Sequence, residues 1–275
     1  MANNALSNGL IDAIRLSTRP DYISEEILLN LKKHNVKIIE LGVQSMDDEV
    51  LMLSERGHSQ EDVVNSSRLI KSYGFELGLQ MMIGLPGDNE EKDMETARKI
   101  IKLNPDFVRI YPTLVIKKTS LEEMFIKGEY IPLELEDAVS ISKKLYKEFI
   151  RSRIDVIRLG LQVTEQINSG KDVVAGPFHP AFRELVESSL LNDMIKYVIN
   201  KEFKDSSNIE ISISPKDISK LYADKKRYFN EIIKEFNTKN IKIRQVKEIN
   251  SYTLAFYDNN YFRKMSLYDY VKLEK

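Results

Sequence analysis

Three polar side chains stand where a buried parallel strand ordinarily carries none. Between Val36 and Gly87, the segments KIIELGVQS and LGLQMMIGLPG read as strands on either side of an RGH turn and a helix. Strand side chains alternate faces, so Glu40, Gly42 and Gln44 share one side of the first strand, opposite Ile39, Leu41 and Val43. In the second strand Gly78, Gln80, Met82 and Gly84 fall together. Strands covered by helices on both faces read as apolar runs, so a glutamate and two glutamines placed there are either hydrogen-bonded core polars or the lining of a cavity.

Other chemistries are excluded by what the sequence lacks. Cysteine is absent from all 275 residues, which rules out disulfides, thiolate nucleophiles and cysteine-ligated metals within this chain. No histidine pair has metal-ligand spacing, and there is no Walker loop and no nucleophile elbow. The carboxylate pairs Glu25-Glu26, Asp47-Asp48 and Glu90-Glu91 lie at helix starts, where the helix dipole accounts for them. His179 lies in an aromatic, proline-rich loop, KDVVAGPFHPAF, where it is either a packing residue or a substrate contact. With 41 basic and 42 acidic residues, the chain has no bulk attraction for nucleic acid or an anionic membrane, so such a contact requires a local patch. No run of about 18 apolar residues and no signal-like start is present, and the chain reads as soluble and cytoplasmic.

The elements that must position the polar strand residues follow from periodicity. Strands are expected at 12–17, 36–44, 75–83, 106–115 and 155–163, with Arg15 and Ser17, then Arg109, Tyr111 and Thr113, then Arg158, Gly160 and Gln162 on their polar faces. Helices intervene, capped by Ser24 and Ser59 and by an Asp88/Glu91 capping box, and Gly74 ends the helix before the third strand. Residues 1–9 show no pattern. This alternation predicts a parallel sheet with right-handed crossovers, either doubly wound or part of a barrel. In both, ligands sit at the carboxyl ends of the strands, where Ser17, Gln44, Gln80, Tyr111 and Gln162 collect.

Four words in this order, STRPDYI at 17–23, ELGVQS at 40–45, RGH at 56–58 and GLPG at 84–87, resemble the radical S-adenosylmethionine (SAM) enzymes. Within them the likeness is to the branch of the elongator catalytic subunit and oxygen-independent coproporphyrinogen oxidase, and it covers roughly 12–165. It implies an α/β fold, a partial (β/α) barrel whose strands here match the third onward, and the residues beyond it read separately as a small α+β domain. It also implies contacts to SAM from Gln44, Arg56 and Gln80, with Ser17 where many relatives carry a carboxylate. The family holds a 4Fe-4S cluster on a CxxxCxxC loop, and without thiolates there is no cluster and no reductive cleavage of SAM. The chain is therefore expected to be catalytically incomplete alone, its radical chemistry on tRNA or another cellular substrate requiring a missing amino-terminal segment or a second chain with CxxxCxxC. The alternative is a cluster-free α/β enzyme of another class, which requires a closed cavity with a convergent acid and base.

Three segments are expected: the partial barrel at 1–165, a connecting loop and helix at 166–195, and a small α+β domain at 196–275. The last has the order βααββα, similar to a KH-type RNA-binding module, but Ala223-Asp224-Lys225-Lys226 lacks the glycines of a GxxG clamp. Its basic turn is either a solvated surface or a local phosphate contact.

Overall fold

The computed structural model describes residues 2–161, 172–259 and 261–274. They divide into two compact units, with the division between Pro180 and Ala181.

The strands of the first unit are β1 (Ile14–Thr18), β2 (Val36–Gln44), β3 (Glu76–Ile83), β4 (Phe107–Pro112), β5 (Val115–Ile116), β6 (Asp155–Leu159) and β7 (Val173–Ala175). Five of them form one sheet in the order β1-β2-β3-β4-β6, all parallel. The helices are α1 (Ala2–Ser7), α2 (Glu25–Lys33), α3 (Asp48–Leu53), α4 (Gln60–Ser72), α5 (Glu90–Lys102), α6 (Ser120–Ile126) and α7 (Leu135–Arg151). Strands that advance in one direction through right-handed crossovers place their connecting helices on a single face. A doubly wound sheet reverses its order part-way. The unreversed order therefore makes this sheet a segment of a (β/α) barrel, with α2, α4, α5 and α7 outside.

Side-chain alternation follows the same division. Ile39, Leu41, Val43, Leu77, Leu79, Met81, Ile83, Val108 and Ile110 are buried beneath the helices. Each fully buried aliphatic side chain contributes roughly 1.5–3 kcal/mol. The opposite face presents Arg15, Ser17, Glu40, Gln80, Arg109 and Tyr111 to the barrel interior. Ser24 caps α2 by accepting from Ile27 N, and Ser59 caps α4 in a reciprocal box with Asp62. The cap of α5 differs from the expected Asp88/Glu91 box: Asn89 accepts from Lys92 N, which leaves Asp88 free to turn inward. Three elements of this unit had no sequence signal, namely α1 within 2–9, helix α6, and the antiparallel ribbon of β5 and β7. Each is short, and α1 and α6 bury no residue, so neither imprints a hydrophobic period.

The second unit opens with the helix Phe182–Glu202, which the sequence reading divided between a connector and the small domain. Leu190, Met194, Ile195, Val198 and Ile199 on this helix are all buried. A four-stranded sheet follows, in the order β11 (Phe262–Ser266), β10 (Thr253–Tyr257), β8 (Asn208–Ile213), β9 (Asn240–Gln245). Strand β11 lies between the last expected strand and the terminal helix, so the unit is not the six-element βααββα arrangement. The alternation in FRKMS is masked by two charged residues, and only Met265 is buried. No helix among the described residues is long and apolar enough to cross a membrane.

Candidate functional site

At the carboxyl ends of β1, β2 and β3 lies an open cavity of about 540 Å³ whose lining includes Ser17, Arg19, Glu40, Gly42, Gln44, Arg56, His58 and Gln80. All four residues singled out from the sequence, Ser17, Gln44, Arg56 and Gln80, therefore line one space. Gln162 lies outside the described residues. Tyr111 is not in this lining; its hydroxyl accepts from Arg109 Nη1 at 3.3 Å. His179 is half-buried after β7 and is not among the residues lining the cavity.

The geometry of Gln44 departs from regular strand. Its φ is +63°, and Ser45 N donates to Val43 O at 2.8 Å, so Gln44 is the central residue of a positive-φ γ-turn, a strained conformation for a residue with a Cβ. The register shifts at this point, with Gly42 opposite Gln80 but Gln44 opposite Met81. Gln44 Oε1 then accepts from Gln80 Nε2 at 3.4 Å. The RGH turn fixes this arrangement. His58 Nε2 donates to Val43 O at 3.1 Å, and Gly57 O accepts from Arg19 Nη2 at 3.0 Å. Gly57 has φ +71°, and a Cβ there would stand 2.8 Å from Arg19 Nη2.

Arg56 supplies the charge. Nη2 donates to Met82 Sδ at 3.2 Å, while Nε is buried with no partner. Burial pushes the Arg56 pKa down, and a guanidinium still remains protonated in proteins. Among the described residues no carboxylate pairs with it. Arg56 also borders a second cavity of about 350 Å³ lined by Met82, Leu85, Pro86, Thr113, Leu114 and Met124 among others.

Deeper on the same face, Glu40 is 3% exposed and its Oε1 accepts from Arg15 Nε at 2.9 Å and Arg109 Nη2 at 3.0 Å. The carboxylate is thus a structural bridge between strands. Sequence reasoning missed Tyr22, Ser54 and Glu55 in the cavity lining. Tyr22 belongs to STRPDYI and has the Arg19 guanidinium 5.0 Å from its ring centroid, but Ser54 and Glu55 sit in a turn with no periodic signal.

Comparison with known proteins identifies the family of the chain. Residues 3–100 match the Radical SAM superfamily and residues 105–192 the Radical SAM C-terminal domain. The chain belongs to the radical SAM superfamily. Its relatives are of the elongator type: the tRNA uridine(34) acetyltransferase of Methanocaldococcus infernus is 38% identical over 147 residues, 51% of this chain and 27% of that protein. Human Elongator complex protein 3 is 33% identical over 135 residues, 48% of this chain and 25% of that protein. The solved structure of the archaeal Methanocaldococcus infernus Elp3 with an N-terminus deletion superposes with a TM-score of 0.57 at 32% identity, covering 69% of this chain and 42% of that one. The chain thus spans about a quarter of the length of these curated relatives.

A radical SAM cluster does not fit the residues present. The sequence has no cysteine, and among the described residues no group of three or more His, Asp or Glu is placed to hold a metal ion. This chain cannot bind the family's 4Fe-4S cluster through thiolates.

Proposed function

We propose that this chain is the SAM-holding portion of a radical SAM enzyme acting on RNA in the cytoplasm. In this reading the 4Fe-4S cluster sits on a CxxxCxxC segment supplied from outside these 275 residues. The observation that carries it is Arg56, a partly buried cation without a carboxylate partner, standing beside the amides of Gln44 and Gln80. A ligand with one carboxylate and vicinal hydroxyls answers that set, and SAM has both. Ser17 at the cavity rim supplies a weaker acceptor for a ribose hydroxyl than a carboxylate does. RNA as substrate class is supported by the relatives, whose names specify tRNA uridine.

The sheet supports a completing partner. β1 is an edge strand paired only with β2 among the described residues, and Leu10, just before it, is 75% exposed. An open edge beside exposed apolar side chains is a template for further strands. The alternative of a cluster-free enzyme requires a closed cavity with a convergent acid and base, whereas this cavity is open and its buried carboxylate, Glu40, is held by two arginines.

Calorimetry of the purified chain with SAM tests the site. Without a cluster to chelate the amino and carboxylate groups, the expected Kd is on the order of 1 mM, about −4 kcal/mol, and Gln44→Ala and Arg56→Ala abolish the heat. Tight binding insensitive to both substitutions overturns the assignment. Reconstitution with iron and sulfide should give no cluster absorption and no SAM cleavage under reduction. Both should emerge on co-expression with an upstream-encoded CxxxCxxC segment, and cleavage by the isolated chain would sink the divided-site reading.

A further inference from the structure

The four-stranded sheet of the second unit buries one face, and part of the other is open: Ala255 and Ser212 there are buried, while Tyr257, Phe262, Lys264, Lys242 and Arg244 are exposed. Ile209, Ile211, Ile213, Leu254, Phe256 and Met265 point to the buried side. Alternation puts Lys242 and Arg244 of β9, Ser212 of β8, Ala255 and Tyr257 of β10, and Phe262 and Lys264 of β11 on the other. In register, Phe262, Tyr257, Glu210 and Lys242 form one row across all four strands, and Lys264, Ala255, Ser212 and Arg244 form the next. The Tyr257 and Phe262 rings lie against each other with centroids 4.9 Å apart. They remain 37% and 53% exposed, an unusual disposition for two large rings on a surface.

Charge complements the rings. Residues 181–275 carry 18 lysines and arginines against 14 aspartates and glutamates, whereas the whole chain is at −1. A shallow cavity of about 630 Å³ on this face is lined by Ser212, Lys242, Arg244 and Tyr257, with Asn208 and Asn240 at its end. Two carboxylates also line it, and both are engaged: Glu210 with Arg244 at 3.6 Å, and Asp258 with Ser206 Oγ and with Tyr261 N at 2.7 Å. Lys242 and Lys264 enter no ion pair among the described residues.

We infer that the exposed part of this face, around Tyr257 and Phe262, is a stacking platform for single-stranded RNA. Bases stack on Tyr257 and Phe262, and Lys242, Arg244 and Lys264 meet the phosphates between them. Exposed aromatics on a sheet flanked by cations suit unstacked bases, and a duplex, whose bases are paired inside, cannot reach them. The surface lies beyond residue 192, outside both family matches. The inference deepens the RNA part of the proposed function, and it does not depend on the SAM cavity.

Fluorescence anisotropy of the full chain with a labelled twelve-nucleotide oligouridylate, and with a duplex of equal length, tests it. Tyr257→Ala and Phe262→Ala should each weaken single-strand binding roughly 5- to 140-fold, the equivalent of about 1–3 kcal/mol per stacked base. Tyr257→Phe and Phe262→Tyr, which keep a ring, should bind as the parent does. Lys242→Gln combined with Lys264→Gln should flatten the slope of log K against log salt by about 1.4, from about 0.7 per phosphate. Should an alanine variant unfold, ultraviolet cross-linking of the parent chain to iodouridine RNA decides, with adducts expected on Tyr257 or Phe262. Alanine variants that bind like the parent, equal affinity for duplex, or adducts confined to the basic groove of Arg68, Lys71, Lys99 and Lys102 between α4 and α5 overturn the platform. RNA binding that survives all platform variants leaves the RNA reading standing without this surface.

Discussion

The imidazole of His58 holds Gln44 in place without touching it. Its Nε2 donates to Val43 O, the same carbonyl that closes the γ-turn around Gln44. A positive φ at a residue with a Cβ persists only where its surroundings enforce it. His58→Ala removes that tether. The expected stability cost is about 0.5–1.5 kcal/mol, the net value of one hydrogen bond, measured as a shift in urea midpoint. The larger effect falls on the site: Gln44 relaxes from its turn and loses Gln80, and nucleoside binding by calorimetry should fall as far as it does in Gln44→Ala. Unchanged binding would show that the γ-turn is held by its own backbone.

Gly42 and Gly78 occupy the same inward face but should answer substitution differently. A Cβ on Gly42 would stand 2.7 Å from Nε2 of Gln44, the far end of a flexible side chain that can swing away. A Cβ on Gly78 would meet the Phe107 ring at 2.3 Å and Glu40 Cγ at 2.9 Å, neither of which can yield without moving the sheet. Gly42→Ala should therefore melt within about 0.5 kcal/mol of the parent yet lose nucleoside binding. Gly78→Ala should lose about 1–3 kcal/mol through overpacking. Equal destabilisation by the two would contradict this division.

The barrel strands were legible because one face must be apolar, and that requirement writes a period of two into Ile39, Leu41 and Val43 and into Leu77, Leu79 and Met81. The polar face was legible as an exception to that pattern. Its division of labour was not. Glu40 and Gln44 look alike in the alternation and both line the cavity, yet one is locked between Arg15 and Arg109, distant in sequence, and the other meets the amide of Gln80. Which polar residue is satisfied depends on partners that only the strand order brings together. Sheet edges and short elements were unreadable for a related reason: β11 and the β5/β7 ribbon bury too few side chains to imprint a period.

Glu40 should be required for stability. Glu40→Ala leaves Arg109, 17% exposed, without its carboxylate. Breaking a buried pair in this way costs about 3–5 kcal/mol, and the lower end is expected because Arg15 is 45% exposed and can be solvated. Replacing both partners of a buried pair with apolar residues is often close to neutral. The double variant Glu40→Leu, Arg109→Leu should therefore recover much of the loss, and a double variant less stable than the single one would place the bridge among net stabilising interactions.

Asp88 and Asp93 give the fold a pH dependence of unusual sign. Asp93 is 2% exposed, and Oδ2 of each carboxyl is buried with no donor, a deficit that protonation of one member removes. Burial first, and then the neighbouring charge of Asp88, push Asp93 up to about 10; Asp88 is also raised, chiefly by burial. In the unfolded chain both ionise near 3.8. Folding therefore takes up a proton between these values, so the contribution is full below about pH 4 and is lost as pH rises toward 10, by up to about 1.4 kcal/mol per pH unit for one proton. Asp93→Asn keeps a donor for Asp88 and carries no titrating proton. Its unfolding free energy relative to the parent should rise steadily from pH 5 to pH 9 in urea titrations at fixed ionic strength. A difference that is flat across this range, or that falls, would mean that Asp93 is ionised in the folded chain.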